Sequence, residues 1–191
     1  MRHLGLGAAG TVDGEALDVA AASLAARIGL PVRRTPSFPA PTYAYDPRRR
    51  QFSSTLIMHH ALARIPEGAE KLLVVTECDI FIPMLSFVFG QAQLDGPVAV
   101  LSLARLRQEF HGLPPNRSLF LVRVAKEAVH EVGHTFGLTH CPDRQCVMSL
   151  ATNVAQLDAK GGDLCTGCAI LMGETIRHLP PETLEASGGG T

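Results

Sequence analysis

The sequence predicts an α/β (α+β) fold with a mixed sheet and one long helix that carries a chemical site. Three observations lead to this prediction. Short apolar strands alternate with helical patterns over residues 2–101. A long amphipathic pattern follows a proline-containing break, and its two faces differ in chemistry. The segment after residue 137 has no clear strand pattern, so we expect it to form a small, irregular C-terminal lobe.

The elements of the sheet come from the first half of the chain. Lys71–Thr76, with the sequence KLLVVT, is an apolar run of the kind found in central strands. The Ala-rich segment that begins at Glu15 stops at Gly29, and Ser53 can cap the next helix. The prolines within Thr35–Pro47 favour an extended loop. The predicted elements are a strand over 2–8, helix Glu15–Ile28, strand Val32–Arg34, helix Ser53–Arg64, strand Lys71–Thr76, and strands Ser86–Gln91 and Val98–Leu101.

A long helix is predicted after the break at Pro114–Ser118. Apolar residues recur along it at steps of three and four, and this spacing predicts a buried stripe of Val122, Ala125, Val129, Val132 and Phe136. Polar residues fall on another face: Arg123, Glu127, His130 and His134. We therefore expect the helix to pack under the sheet with one face and to border a cleft with the other.

Composition limits the kind of protein this can be. A chain of 191 residues with 46% hydrophobic residues suits a single domain. We predict this domain over residues 1–180, with an upper lobe of about 1–137 and a lower lobe of about 138–180. A flexible tail is predicted over residues 181–191. The formal net charge of −1 gives no electrostatic support for a nucleic-acid partner. No apolar run is long enough for a membrane span, and no signal segment is evident. We expect a cytoplasmic monomer.

A complete HExxHxxGxxH pattern lies near the end of the long helix. His130 and His134 are spaced i, i+4, so both imidazoles lie on one helix face beside Glu131. Gly137 can adopt a positive φ and end the helix, which allows His140 to reach the same metal ion. Three nitrogen ligands leave one tetrahedral position for water, as in catalytic zinc sites. The alternative, a solvated helix face, does not account for Gly137 and His140.

The cysteines form a second candidate site. Cys141, Cys146, Cys165 and Cys168 have a C-x4-C and C-x2-C spacing, which suits a closed, structural Zn²⁺. The alternative is two redox pairs, or four small buried hydrophobes. A structural zinc contributes on the order of 10 kcal/mol to folding, which would replace the apolar core that this segment lacks. Together with the histidines, this predicts two Zn²⁺ per chain. Cys78, after a buried strand, is predicted to be an inert thiol.

The two sets overlap in a way that resembles a known family. The histidine motif is similar to that of the metzincins, with Met148 in the place of the Met-turn methionine. The cysteine directly after the third histidine, the C-x4-C-x-M segment and the later C-x-x-C resemble the archaemetzincins. The gap between Met148 and Cys165 (residues 149–164) is one residue shorter than the family pattern. Tyr45–Arg49 and Val98–Leu106 also resemble family segments.

The resemblance implies a metzincin-like twisted mixed sheet, an active-site helix and a zinc-stapled lower lobe. It also implies a zinc metallopeptidase that hydrolyses peptides through a zinc-activated water, with Glu131 as general base, Met148 as packing beneath the metal, and aminopeptidase-like activity as one option. Leu85–Leu94 would then flank the cleft and hold an extended peptide. Only Tyr43 and Tyr45 are tyrosines, both far upstream, so no further oxyanion stabiliser is identified.

Two alternatives of other classes remain open. The protein could be a zinc-binding recognition or regulatory protein with little turnover, or a zinc-ribbon module that binds nucleic acid through the cysteines. The near-neutral charge disfavours the second of these. Substitution of Glu131 separates a hydrolase from a binder, because only the hydrolase depends on this carboxylate.

Overall fold

The computed structural model describes residues 2–179, and the predicted tail over 181–191 lies outside this range. The predicted α/β architecture is confirmed. The elements are, in chain order, β1 (His3–Ala9), α1 (Gly14–Ile28), β2 (Val32–Arg34), β3 (Tyr45–Asp46), β4 (Gln51–Ser53), α2 (Ser54–Leu62), β5 (Ala69–Thr76), β6 (Ile80–Phe81), β7 (Gly90–Ala92), β8 (Val98–Ser102), α3 (Arg117–Thr135), α4 (Val154–Ala159) and α5 (Thr166–Arg177).

A five-stranded mixed sheet forms the centre, in the order β2-β1-β5-β8-β7. Its first four strands are parallel, and β7 pairs antiparallel with β8 at one edge. Successive side chains of β5 point to opposite faces, as the pleat requires. Leu73 and Val75 pack into the cluster that includes α1 and α3, whereas Leu72 and Val74 pack against α2. The sheet is therefore covered on both faces, as parallel sheets usually are.

Two helix ends follow the signals predicted at Gly29 and Ser53, and a third end has an N-cap, Asp13, that was not predicted. Asp13 caps α1 by accepting a hydrogen bond from the Ala16 backbone N–H, and Gly29 ends the helix in the left-handed region at φ 79°. Ser53 caps α2 through the Leu56 backbone N–H. None of the helices described within residues 2–179 is long and apolar enough to cross a membrane.

Some predicted elements need correction. The strand predicted over Ser86–Gln91 is mostly a loop, because only Gly90–Ala92 pairs with β8. The predicted extended loop contains a short 3₁₀ turn at Thr42–Ala44 and ends in β3, which joins β4 and β6 in a second small sheet. Strands of two or three residues are too short to show a period-two pattern. The C-terminal lobe is also more regular than expected, because it contains α4 and α5.

The buried stripe of α3 differs from the predicted one. Val122 is 49% exposed, and the apolar face is formed instead by Phe120, Val124, Ala128, Val129 and Val132. Most of the predicted polar face is buried as well, because the helix packs against the sheet on one side and against the C-terminal lobe on the other. A helix enclosed by two layers does not keep a simple two-faced pattern.

Charged side chains of α3 anchor the C-terminal lobe. Arg123, 2% exposed, forms a two-pronged ion pair with Asp158 at 2.7 Å for each contact. Lys126 Nζ donates to the carbonyl oxygens of Leu157, Asp158 and Lys160 at 3.0, 3.0 and 2.6 Å. These carbonyls lie at the C-terminal end of α4, where a helix leaves acceptors without partners. The lysine satisfies them and fixes the lobe against α3.

The end of α3 reverses the chain at Gly137. The Gly137 and Leu138 backbone N–H groups donate to the carbonyls of His134 and Gly133 at 2.9 and 3.1 Å, which is the Schellman pattern. Gly137 has φ 86°, in the left-handed region that side chains disfavour. The predicted role of this glycine in ending the helix is confirmed.

We predict that Gly137→Ala lowers the free energy of unfolding by about 1–2 kcal/mol, because a Cβ is disfavoured at this φ. Denaturant unfolding measures the change. Gly173→Ala is the control, since Gly173 lies inside α5 with no neighbouring atom within 4 Å of the added Cβ. Equal stability of the Gly137→Ala protein and the unsubstituted protein would contradict the assigned strain.

Candidate active site and metal centres

Three histidines converge at the end of α3. One ring nitrogen of each of His130, His134 and His140 lies within 4.8 Å of the others. The Nε2 atoms of His130 and His134 are 3.1 Å apart. Helical spacing places His130 and His134 side by side, and the turn at Gly137 brings His140 next to them, as the sequence predicts.

Backbone carbonyls fix the tautomers of two of these rings. His130 Nδ1 lies 2.9 Å from the Val147 carbonyl oxygen, and His134 Nδ1 lies 2.6 Å from that of Leu138. A carbonyl only accepts, so each Nδ1 carries the proton and each Nε2 presents a lone pair to the centre of the cluster. This arrangement is typical of metal-ligating histidines. The residues present therefore fit a zinc ion.

The protonation states of the rings agree with this arrangement. Burial lowers the pKa of His130 to about 4, and the carboxylate of Glu127 partly opposes that shift. Burial likewise lowers the pKa of His134 and of His140. All three rings are thus neutral near neutral pH, which is the form that binds a metal.

Glu131 lies beside the histidines in a tightly enclosed position. Burial raises its pKa well above the usual range; Glu127 raises it further and Lys160 lowers it. A bound cation would act in the opposite direction by favouring the carboxylate. A Cβ added at Gly90 would lie 2.5 Å from Glu131 side-chain atoms, so β7 can pass this carboxylate only with glycine there. Gly90 was not among the site residues predicted from the sequence, although a glycine within a predicted strand indicates that another group approaches the backbone closely.

Met148 lies beneath the histidine pair. It is fully buried, and a Cβ added at Gly133 would lie 2.5 Å from its Sδ atom. Gly133 stands between the two histidines on α3, so the methionine packs against the helix turn that carries both of them. The structure thus brings Met148 to the position predicted for a packing residue.

The four cysteines form a second cluster. The sulfur atoms of Cys141, Cys146, Cys165 and Cys168 lie within 4.8 Å of one another. The Sγ atoms of Cys141 and Cys165 are 3.8 Å apart, too far for a disulfide bond.

Local backbone contacts hold this cluster together. The Cys165 backbone N–H donates to Cys146 Sγ at 3.3 Å. The Cys168 backbone N–H lowers the pKa of Cys165, which directly precedes α5, whereas burial raises the pKa of Cys168. Four sulfur donors around one point are the donor set of a closed zinc site. Cys78 stands apart from this set, and burial raises its pKa.

An open cleft of about 520 Å³ passes over the histidines. Leu85–Ala92 and Leu94 form one wall, and Leu150–Thr152 form the other. Gln51 holds the first wall by donating to the Ser86 carbonyl oxygen at 2.9 Å. The segment predicted to flank the cleft therefore does so, although only its β7 portion is a strand.

An ion pair that the sequence analysis did not identify lies at the cleft. Glu127 lines the cleft, and its Oε1 atom is 2.7 Å from Lys160 Nζ. The two residues are distant in sequence and belong to different lobes, so no local pattern indicates their contact.

Comparison with known proteins identifies the family. The model of Peptidase family M54 matches residues 64–174. The archaemetzincin of Methanocaldococcus jannaschii is 47% identical over 133 residues, which cover 70% of this chain and 72% of the relative.

Solved structures agree with this match. The archaemetzincin structure from Methanopyrus kandleri has a TM-score of 0.77 at 33% identity and covers 92% of this chain and 96% of its own. A zinc-dependent peptidase structure from Methanocorpusculum labreanum has a TM-score of 0.79 at 28% identity, with coverage of 88% and 99%. Sequence, fold and clustered residues agree: this chain belongs to peptidase family M54, the archaemetzincins, and is a zinc-dependent metallopeptidase.

Proposed function

We propose that His130, His134 and His140 hold one zinc ion and that Glu131 is the general base for peptide-bond hydrolysis. The observation that carries this proposal is the convergence of two histidine Nε2 atoms, 3.1 Å apart, at the base of an open cleft. Three nitrogen ligands leave one position of a tetrahedral zinc site open, and this position would take the water that attacks the substrate.

The chain's own groups provide the proton transfers. A zinc ion held by His130, His134 and His140 would supply Lewis acidity, which would lower the pKa of bound water from 15.7 to about 7 and polarise the substrate carbonyl. Glu131 takes a proton from the attacking water and later gives it to the departing amine. The carbonyls of Val147 and Leu138 hold His130 and His134 in the ligating tautomer throughout. Gly90 leaves the space in which the carboxylate can act.

The cleft suits an extended peptide. β7 is the last strand of the central sheet, so its outer edge is available to pair with a substrate backbone. Leu85–Leu94 then serves as the flanking segment, opposite Leu150–Thr152. Peptides and partly unfolded chains are the proposed substrates, with aminopeptidase-like cleavage as one form of the activity.

A second zinc ion is proposed at Cys141, Cys146, Cys165 and Cys168. These four cysteines place the segment after His140 next to the start of α5. The Cys141 backbone N–H also donates to the Met148 carbonyl oxygen at 3.0 Å, which closes the loop between them. The proposed ion therefore stabilises the lobe and fixes the third histidine.

The proposal includes finer expectations about the whole protein. Residues 1–180 act as one domain with two lobes, and the protein is a cytoplasmic monomer without a nucleic-acid or membrane partner. The competing function is zinc-dependent recognition or regulation with little turnover.

The first prediction concerns Glu131. Glu131→Gln lowers the rate of hydrolysis by roughly 10²–10⁴-fold, because the amide cannot take the proton. Zinc content and the fold stay unchanged. Digestion of an unbiased peptide library, followed by mass spectrometry, measures the rate. Glu67→Gln, at an exposed turn residue, is the control and keeps full activity. Activity within a few-fold in the Glu131→Gln protein would contradict the assigned base and favour the recognition function.

The second prediction concerns metal content. Protein purified without chelator contains two zinc ions per chain, and Cys165→Ser contains one, because three thiolates no longer close the structural site. Elemental analysis measures the ratio. Cys78→Ser is the matched control and keeps two ions, since Cys78 lies outside both clusters. A ratio of one in the unsubstituted protein, unchanged by Cys165→Ser, would eliminate the cysteine site.

The third prediction links the two sites. A Cys165→Ser, Cys168→Ser protein melts at a lower temperature and binds zinc at the histidines more weakly. Loss of the cysteine site frees the loop that starts at Cys141 and therefore frees His140. A thermal melt and a zinc titration of the histidine site test this, again with Cys78→Ser as control. If the melting temperature and the zinc affinity of the histidine site are both unchanged, the cysteines do not bind a structural zinc.

A further inference from the structure

A buried ion pair contributes to the surface of the cleft. Glu127 is 3% exposed and Lys160 is 4% exposed, and Lys160 Nζ lies 2.7 Å from Glu127 Oε1. Glu127 lies one helical turn before His130 and Glu131 on α3 and lines the cleft, whereas Lys160 lies behind it. A ligand in the cleft would therefore contact the carboxylate of Glu127 and not the ammonium group of Lys160.

The carboxylate of Glu127 keeps free acceptor capacity. Lys160 Nζ is close to Glu127 Oε1, but the angle between the two groups does not suit a hydrogen bond. Glu127 Oε1 therefore has an ion-pair partner but no well-aligned hydrogen-bond donor. Among residues 2–179, no other donor reaches this carboxylate. Lys160 is also shared, because its Nζ lies 3.4 Å from the Ser149 carbonyl oxygen. A carboxylate can accept several hydrogen bonds, so the single contact with Lys160 leaves capacity for a ligand in the cleft that donates to Glu127.

The charge of the pair decides which donor fits. Lys160 already neutralises Glu127, so a second cation in the cleft would bring an uncompensated charge next to the lysine. A neutral donor, such as an amide or a hydroxyl group, satisfies the carboxylate without adding charge. The neighbouring cleft wall contains Leu150 and Ala151, which suit an aliphatic stem. Glutamine combines such a stem with a neutral amide donor.

We propose that Glu127 is a specificity-determining residue that accepts a hydrogen bond from a substrate side chain ending in a neutral donor, such as glutamine. Such a substrate is preferred over one with an aliphatic side chain of similar length, and over one with a cationic side chain. This inference rests on the proposed hydrolytic cleft and adds the substrate class to it.

The test uses three peptide hydroxamates that differ at the residue next to the hydroxamate, which is glutamine, methionine or lysine. A hydroxamate anchors on zinc whether or not the protein turns over, so the measurement does not require hydrolysis. Isothermal calorimetry on the zinc-loaded protein gives the three dissociation constants. We expect the glutamine compound to bind roughly tenfold more tightly than either of the others, because only it satisfies the carboxylate without adding charge.

A double variant tests the cause of this preference. Glu127→Leu, Lys160→Met removes both charges while keeping apolar volume, a change that buried ion pairs often tolerate. We expect it to prefer the methionine compound. A matched control, Asp18→Leu, Arg34→Met, removes a surface ion pair with a contact of 2.7 Å and keeps the preference for glutamine.

The outcomes are distinct. Equal or tighter binding of the methionine or lysine compound to the unsubstituted protein would overturn the inference, as would a preference for glutamine that survives in the Glu127→Leu, Lys160→Met protein. If a thermal melt shows that this variant does not fold, the three constants of the unsubstituted protein decide alone. Failure of all three compounds to bind would overturn the proposed zinc site and, with it, this inference.

Discussion

The reversal of the chain at Gly137 is the constraint on which the rest of the site depends. A helix can place His130 and His134 on one face, but it carries every later residue away along its axis. The left-handed turn at Gly137, with its two backbone hydrogen bonds to the end of α3, brings His140 back to the same point. Cys141 follows directly and belongs to the second cluster. The histidine cluster and the cysteine cluster are thus joined by the peptide bond between His140 and Cys141.

The C-terminal lobe is attached to α3 by both apolar and polar contacts. Leu138, Val147 and Leu157 lie in the same buried cluster as the apolar face of α3, and Arg123 and Lys126 add polar contacts. Buried charges cost desolvation free energy and contribute stability only when well paired. The zinc ion proposed at the cysteine cluster would add stability that does not depend on apolar area. The expectation that this segment lacks an apolar core is wrong, because Met148, Leu157 and Met172 lie in the main buried cluster.

Polar contacts between the lobes also shape the cleft. Lys160, from the lower lobe, approaches both Glu127 on α3 and the carbonyl of Ser149, which precedes the cleft wall. Glu131 and Gly90 meet closely on the opposite side. The chemistry of the cleft is therefore set by residues from three separate parts of the chain, although the three clustered histidines lie close together in the sequence.

Sequence patterns correctly predicted the features that depend only on residues close together in the chain. The spacing of His130, His134 and His140 follows from helix geometry and one turn, and the caps of α1 and α2 follow from single residues. The exposed Val122 and the short strand at Gly90–Ala92 were predicted wrongly, because packing against two layers and sheet-edge pairing are tertiary effects. The contact between Glu127 and Lys160 left no sequence signal at all, since it arises only when the lobes meet.

We propose that one short loop joins a nitrogen-ligated zinc to a sulfur-ligated zinc. X-ray absorption fine structure at the zinc edge, recorded on the purified protein, tests it most directly. We expect two shells of comparable weight, one of nitrogen and oxygen at about 2.0–2.1 Å and one of sulfur at about 2.3 Å. A spectrum with a sulfur shell alone, or with a nitrogen and oxygen shell alone, would contradict it.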